Sequence, residues 1–334
     1  MIKSQNILIS RTDAIGDVIL TLPIAEIIKE KFPNSKVFFL GKTYTKDIIS
    51  LSKHVDRFIN WSEIELLESN EQINKLKGYN IDTIIHIFPN KDIAKLAKKA
   101  GIKNRIGTGH RTFHWTSCNK LVNFSRKKSD LHEAQLNIKL LKPLGITKEY
   151  STEELANYYN FENVKPLDQK FKKLLDSNRF NLILHTKSKG SAREWGLDNF
   201  KNLIDILPED EYKIFLSGTE DEGQLFRAKL LGAPNVEDIS GTMSLAEFIS
   251  FINSADGLIA ASTGPLHIAA ALGIRTLGIY PPIRPMHPGR WKPLGKHADY
   301  VVENKECSDC RNGGSCHCML ELSPDRIVAK LKSL

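Results

Sequence analysis

The sequence predicts an α/β protein made of two successive doubly wound parallel sheets. Three observations carry that prediction: the chain length, a strand–helix alternation that runs twice along the chain, and Gly-bearing turns that leave apolar runs and open helices. At about 150 residues per domain, 334 residues suit two domains of similar size.

In the first half, residues 7–10 read as a short buried strand, and 18–32 carry apolar residues at helical spacing through Ile19, Leu22, Ile27 and Ile28. Pro33-Asn34 ends that helix, and 37–40 is a second buried strand, so the opening is a β-α-β unit whose sheet is parallel. Strands follow at 58–60, 83–87 and around Arg105-Ile106, with a helix over 92–100 between the last two. Residues 132–144 keep helical spacing through Leu136, Leu140, Leu141 and Leu144, with Gly145 as the C-terminal cap. The pattern turns polar over 147–168, which is the expected linker, and the domains are taken as 1–155 and 156–334. The second series has strands at 182–185, 213–217, 257–261 and 276–280, and helices at 197–207, 220–231, 245–254 and 265–272. Two Rossmann-like halves is the implied architecture.

Hydrophobic residues at 41% and charged residues at 26% are globular proportions, which argues against a disordered or fibrous chain. Forty-seven Lys and Arg against 39 Asp and Glu give a net charge of +8, which favours anionic partners. No run approaches the roughly 18 residues of a bilayer span, and Arg11 and Asp13 follow the first apolar run too closely for a signal-peptide core. Together with five cysteines, an odd number with four crowded between Cys307 and Cys318, this points to the cytoplasm rather than to a secreted disulfide framework.

In open α/β sheets ligands sit beyond the carboxyl ends of strands, which singles out three loops. Ser262-Thr263-Gly264-Pro265 leaves a strand and opens a helix bearing His267. Its free N–H groups and helix dipole suit a phosphate, and an ordinary Ser/Thr cap is the equal alternative. His267 alone reads as readily as a core or capping histidine. The loop from Thr186 to Trp195 carries Lys187, Lys189 and Arg193 around Gly190; it suits a diphosphate whose charge grows on departure, or it is a solvated basic turn. Residues 11–17 hold Asp13 and Asp17 in a Gly-bearing turn. Asp17 is either a general base for an acceptor hydroxyl or a helix-start carboxylate. No G-x-G-x-x-G dinucleotide fingerprint is present, and Gly107-Thr108-Gly109 is too short to supply one.

Asn6 to Ile9 with Ile15-Gly16-Asp17-Val18-Ile19-Leu20-Thr21-Leu22-Pro23, then Arg193-Glu194-Trp195, Ser240-Gly241, and Thr263-Gly264-Pro265-Leu266-His267 running on to Leu272-Gly273 together resemble glycosyltransferase family 9, the lipopolysaccharide heptosyltransferases. The resemblance extends over nearly the whole chain, in order and spacing. It implies a GT-B fold, with an acceptor-binding N-terminal domain and a nucleotide-sugar-binding C-terminal domain facing across a cleft. It also implies inverting, metal-independent transfer, with no cofactor required. By resemblance Asp17 is the base, with Asp13 the second choice, and Arg193 stands where the family usually has a phosphate-holding lysine. Glu222 matches an acid at the ribose, and Thr263 and Gly264 match the phosphate cradle. The donor implied is ADP-heptose-like, contacted by Thr186, Lys187, Arg193, Glu222, Ser262, Thr263, Gly264 and His267; the acceptor is a lipopolysaccharide core. Ser262 stands where the family usually has an Asp tied to sugar recognition, and Gly196 replaces a Pro. A different donor, epimerase chemistry, or a non-catalytic anion-binding scaffold are the alternatives. An RNA-binding reading lacks an aromatic-basic motif, so no nucleic-acid partner is expected.

Cys307-x-x-Cys310-x5-Cys316-x-Cys318 has one pair at zinc spacing and one that is less usual, so a structural zinc is an option. Cys118 reads as a small core residue. Lys91, Lys95, Lys98, Lys99, Lys103, Arg105, Arg111 and 126–128 make a cationic zone, either a solvated face or a surface for a phosphorylated glycolipid at the anionic inner face of the inner membrane, reached peripherally. The proline-rich stretch 280–291 is either a binding loop or a structural one.

Overall fold

The computed structural model describes residues 5–304 and 317–334. The chain divides into two units, Met1–Asn163 and Val164–Leu334. The first holds strands β1 (Asn6–Ser10), β2 (Lys36–Gly41), β3 (Arg57–Asn60), β4 (Thr83–His86), β5 (Asn104–Thr108) and β6 (Lys120–Val122) in the order β3-β2-β1-β4-β5-β6. The second holds β7 (Phe180–His185), β8 (Tyr212–Ser217), β9 (Val236–Asp238), β10 (Gly257–Ala261), β11 (Arg275–Tyr280) and β12 (Ala298–Val302), in the order β12-β11-β10-β7-β8-β9. Read from β9, the second sheet repeats the 3-2-1-4-5-6 order of the first, and every pairing in both sheets is parallel. Both units are therefore Rossmann-like, and each has one switch point where the strand order reverses: between β1 and β4, and between β7 and β10.

The central strands are short, nearly continuous apolar runs because helices cover both faces. Ile7, Leu8, Ile9, Ile84 and Ile85 are fully buried in the first sheet, and Leu182, Ile183, Leu184, Leu258 and Ile259 in the second. Trp195 closes the core of the second unit: its ring meets Phe200 edge-on at 4.9 Å and its indole N–H donates to the Leu322 carbonyl at 2.9 Å. That anchor fixes the far end of the loop that leaves β7.

Several expected elements differ. The single helix expected over 18–32 is two, Ile15–Ile19 and Pro23–Lys31. Pro23 has no N–H to give to the preceding turn, so it starts a helix rather than continuing one. The helix expected over 132–144 is α-helical only over Glu133–Ile138; it then tightens to a 3-10 helix over Lys139–Leu144, where Pro143 removes a donor, and ends on Gly145 at φ 78°. Within 147–168, which reads as polar and irregular, Ser151 and Glu154 form a capping box that starts the helix Thr152–Ala156. At Gly196 the backbone has φ 93°, a value closed to the Pro that the family usually carries there and favourable only to glycine. Cys118 is buried as expected, and burial pushes its thiol up to about 11. Three of the four clustered cysteines, Cys307, Cys310 and Cys316, lie outside the described residues, whereas Cys318 is buried in the core of the second unit. The proline-rich stretch is closed on itself: the Tyr280 hydroxyl donates to the Trp291 carbonyl at 2.5 Å, and the Trp291 indole donates to the Pro285 carbonyl at 2.9 Å. These bonds serve the structural reading of that loop. Among the described residues no helix is long and apolar enough to cross a membrane.

Candidate active site

In the first unit the candidate residues lie at the switch point. β1 ends at Ser10, whose register partner on β4 is His86, and the chain then passes through Arg11 and Asp13 to Asp17. Asp17 lies in the first turn of Ile15–Ile19, but no side chain caps that helix, whose N-cap is Ala14. Its carboxylate is instead engaged by the Arg11 guanidinium. Asp17 thus makes no capping bond, although it sits in the helical turn where the dipole favours an acid.

Arg11 is 3% exposed and organises the site. Its Nε and Nη2 donate to the two oxygens of Asp13 at 2.8 and 2.9 Å, and its Nη1 donates to Glu133 at 3.1 Å and to the Asn137 side-chain oxygen at 3.2 Å. Arg126 joins from the other side, pairing with Glu133 and donating to Asn137 at 3.1 Å and to the Ile87 carbonyl at 3.2 Å. Asn137 in turn donates to the Leu20 carbonyl and the Thr21 hydroxyl, both at 3.2 Å, and that hydroxyl donates to the Asp17 carbonyl at 2.9 Å. Three carboxylates therefore share two guanidiniums in a largely water-excluded pocket. The consequence falls on Asp17, whose pKa rises to about 6: burial raises it most, Arg11 pulls it down, and Asp13 and Glu133 push it up. Arg11 is held above its ordinary value, since Asp17, Asp13 and Glu133 outweigh the burial that opposes its charge. A carboxylate ionised at neutral pH yet more basic than usual suits a general base.

In the second unit, β7 lies between β8 and β10, and the register pairs His185 with both Ser217 and Ala260. Three strand-exit segments thus converge at one sheet end: Thr186 and Lys187, Gly218 to Glu222, and Ser262 to Gly264. Thr263 is the N-cap of the helix Gly264–Leu272, but its side chain makes no capping bond. Its hydroxyl oxygen is buried without a hydrogen-bond partner among the described residues, and so is that of Thr186. Two such hydroxyls therefore stand on neighbouring exits beside a helix N-terminus, where each can donate to an acceptor-rich ligand. The plain N-cap reading would have spent the Thr263 hydroxyl on the backbone.

The other predicted donor residues divide. Glu222 accepts from the Thr219 N–H at 2.8 Å and from its hydroxyl at 3.1 Å through one oxygen, closing a capping box; the other oxygen takes no bond among the described residues. Lys187 is engaged by Glu194 at 2.5 Å, and the other Glu194 oxygen accepts from the Ser188 N–H at 2.9 Å. That ion pair shapes the loop and neutralises the Lys187 charge. Arg193 is half-buried in the same loop, His267 is buried on the first helical turn, and Ser262 hydrogen-bonds the Tyr280 hydroxyl. His185, not singled out from sequence, is kept neutral by burial, its Nδ1 3.1 Å from the Ser217 hydroxyl. Arg11, Arg126, Glu133 and Asn137 also escaped sequence reasoning as site residues. The one available signal was Glu133 in a helical first turn, where an acid is ordinary.

A chain of two Rossmann-like units, each with a six-stranded parallel sheet, is the build of a GT-B glycosyltransferase. Residues 71–318 match the family described as Glycosyltransferase family 9 (heptosyltransferase), and the chain belongs to that family. A Haemophilus influenzae protein whose description goes no further than glycosyltransferase is 27% identical over 310 residues, covering 87% of this chain and 86% of its own. The lipopolysaccharide core heptosyltransferase OpsX of the same organism is 20% identical over 313 residues, covering 90% and 86%. Among solved structures, the Escherichia coli ADP-heptose lipopolysaccharide heptosyltransferase II superposes with a TM-score of 0.78 at 17% identity, over 98% of each chain.

Because the Thr263 hydroxyl has no partner among the described residues, Thr263→Val is expected to keep or raise the melting temperature and to weaken nucleoside-diphosphate binding about tenfold or more, as loss of a hydrogen bond to a charged group does. Calorimetric titration alongside thermal melts checks both halves.

Proposed function

We propose that this glycosyltransferase moves a heptose from an ADP-heptose-like donor onto a lipopolysaccharide core acceptor, inverting the anomeric centre without a metal. The observation that carries the mechanism is the Asp17 carboxylate, ion-paired with Arg11 and poised near pH 6. In-line displacement needs a base to take the proton of the acceptor hydroxyl while that oxygen attacks the anomeric carbon, and it needs the bond to the diphosphate to break on the opposite side. Asp17 takes the proton, with Asp13 held in reserve by its bidentate bond to Arg11. The charge growing on the departing diphosphate is met by the Gly264–Leu272 helix N-terminus, the Thr263 and Thr186 hydroxyls and Arg193. Cationic side chains and backbone N–H groups then do the work a metal does elsewhere, so the transfer requires no cofactor.

The donor is supported by the names of the relatives and by the open Glu222 oxygen beside the phosphate cradle, a hydrogen-bond acceptor suited to a ribose hydroxyl. The enzyme works in the cytoplasm, peripherally at the inner face of the inner membrane, where a growing lipid-linked core would be met. The test is a transfer assay with ADP-heptose and truncated lipopolysaccharide in the presence of a chelator, with the anomeric configuration of the product read by NMR. Expected is an inverted product with no loss of rate on chelation. Turnover with another nucleotide sugar only, or donor binding without turnover, would replace this reading.

A further inference from the structure

We infer that the outer face made by the helices Lys91–Lys99 and Thr112–Ser117 docks on an anionic lipid bilayer; this rests on the membrane-linked acceptor proposed above and names the surface that meets the membrane. Ile93, Ala94, Leu96 and Ala97 turn inward, leaving Lys91, Lys95, Lys98 and Lys99 exposed as a stripe at helical spacing, with Asp92 the single acid of that helix. The stripe runs up to the second helix, since the Lys98 amine donates to the Thr116 carbonyl at 2.7 Å. Beside that contact stands Trp115, at 63% exposure the most open aromatic side chain among the described residues. It is not loose: its indole N–H donates to the Gly109 carbonyl at 2.8 Å, which holds the ring in place on the surface. Lys103 and Arg111 extend the positive field, and none of the six cations makes an ion pair among the described residues. A solvated helix face ordinarily interleaves both signs. Six cations against one acid around a single pinned indole is instead the pattern of a peripheral anchor, with lysines over anionic headgroups and Trp at the level of the interface. Single-stranded nucleic acid would need a row of aromatic platforms, and this face offers one.

The test uses the full chain and sedimentation with phosphatidylcholine vesicles that contain or lack phosphatidylglycerol. Binding to the anionic vesicles that fades with salt is expected, with little binding to the neutral ones. Lys91→Gln/Lys95→Gln/Lys99→Gln, which touches only exposed side chains, should lower partitioning at least about tenfold. Trp115→Ala should lower it severalfold and remove quenching by brominated lipid. Equal partitioning of wild type and variants, no preference for anionic vesicles, or tighter binding to an oligonucleotide at the same salt would overturn the assignment. Transfer by the wild-type chain to a water-soluble truncated acceptor is measured separately: if it fails, the proposed reaction falls, and if it succeeds while the vesicle result fails, only the docking face falls.

Discussion

Asp17→Asn is expected to lower sugar transfer by roughly 10²–10⁴-fold, the span that loss of a positioned general base produces. Nucleoside-diphosphate binding should stay near the wild-type value, because the cradle residues belong to the second unit. The wild-type pH profile supplies an independent reading of the same group. With Asp17 poised at about 6, kcat/KM should rise through that pH as the carboxylate ionises, and the limb should vanish from the residual activity of the Asn variant. Stability should move the other way. The folded pKa is raised above the 3.8 of a free aspartate, so the fold prefers the protonated form. The stability gained from that preference is complete below the unfolded value and is lost as pH rises through about 6. Asparagine imitates the protonated side chain, so the variant's melting temperature relative to wild type should be more favourable at pH 8 than at pH 4. Retention of transfer within about tenfold would remove Asp17 from the base role. A pH-independent difference in melting temperature would show that its carboxylate is not strained.

How much of this was open to a reader of the sequence depends on whether the decisive interaction was local. The central strands of both sheets are legible because a strand buried on both faces is a short apolar run bounded by turn residues, as at Ile7 to Ile9 and Leu182 to Leu184. The three ligand-facing loops were legible for the same reason: they follow such runs and carry small or charged residues. The edge strands β6, β9 and β12 were not, since three to five residues with few core contacts leave no periodic trace. The break at Pro23 leaves no mark in the apolar spacing, which continues across it, although the missing N–H keeps the two helices apart. At the site, sequence proximity put Asp13 and Asp17 together but left cap and base undecided. What surrounds them is set by Arg11 reaching to Glu133, 122 positions on, a contact that no local pattern records. The cation expected from Lys187 illustrates the reverse. Glu194, seven residues away, occupies it, and only the loop geometry shows that the two side chains meet.

Glu133 is where the first unit can be pulled apart most informatively. At 2% exposure it is deeper than Asp17, and it bridges Arg11 and Arg126. Glu133→Ala removes one of three carboxylates facing two guanidiniums and opens a gap between them. Breaking a buried pair in this way costs about 3–5 kcal/mol, because the remaining cations keep their desolvation penalty without the attraction that offset it. For a unit of this size that corresponds to a fall in melting temperature of roughly 10 °C. Glu133→Gln separates the electrostatic part from the loss of packing. The side chain keeps its shape and can still accept from both guanidiniums, but one negative charge near Asp17 is gone. Glu133 is among the groups raising the Asp17 pKa, so its neutralisation should move the acid limb of kcat/KM below pH 6 and lower the plateau, since a weaker base takes the acceptor proton less readily. A buried carboxylate with a purely structural role would lower the melting temperature and leave the position of the limb where it was. The direction of the limb, read on a variant that still folds, therefore distinguishes a charge that tunes the base from one that only holds two arginines in place.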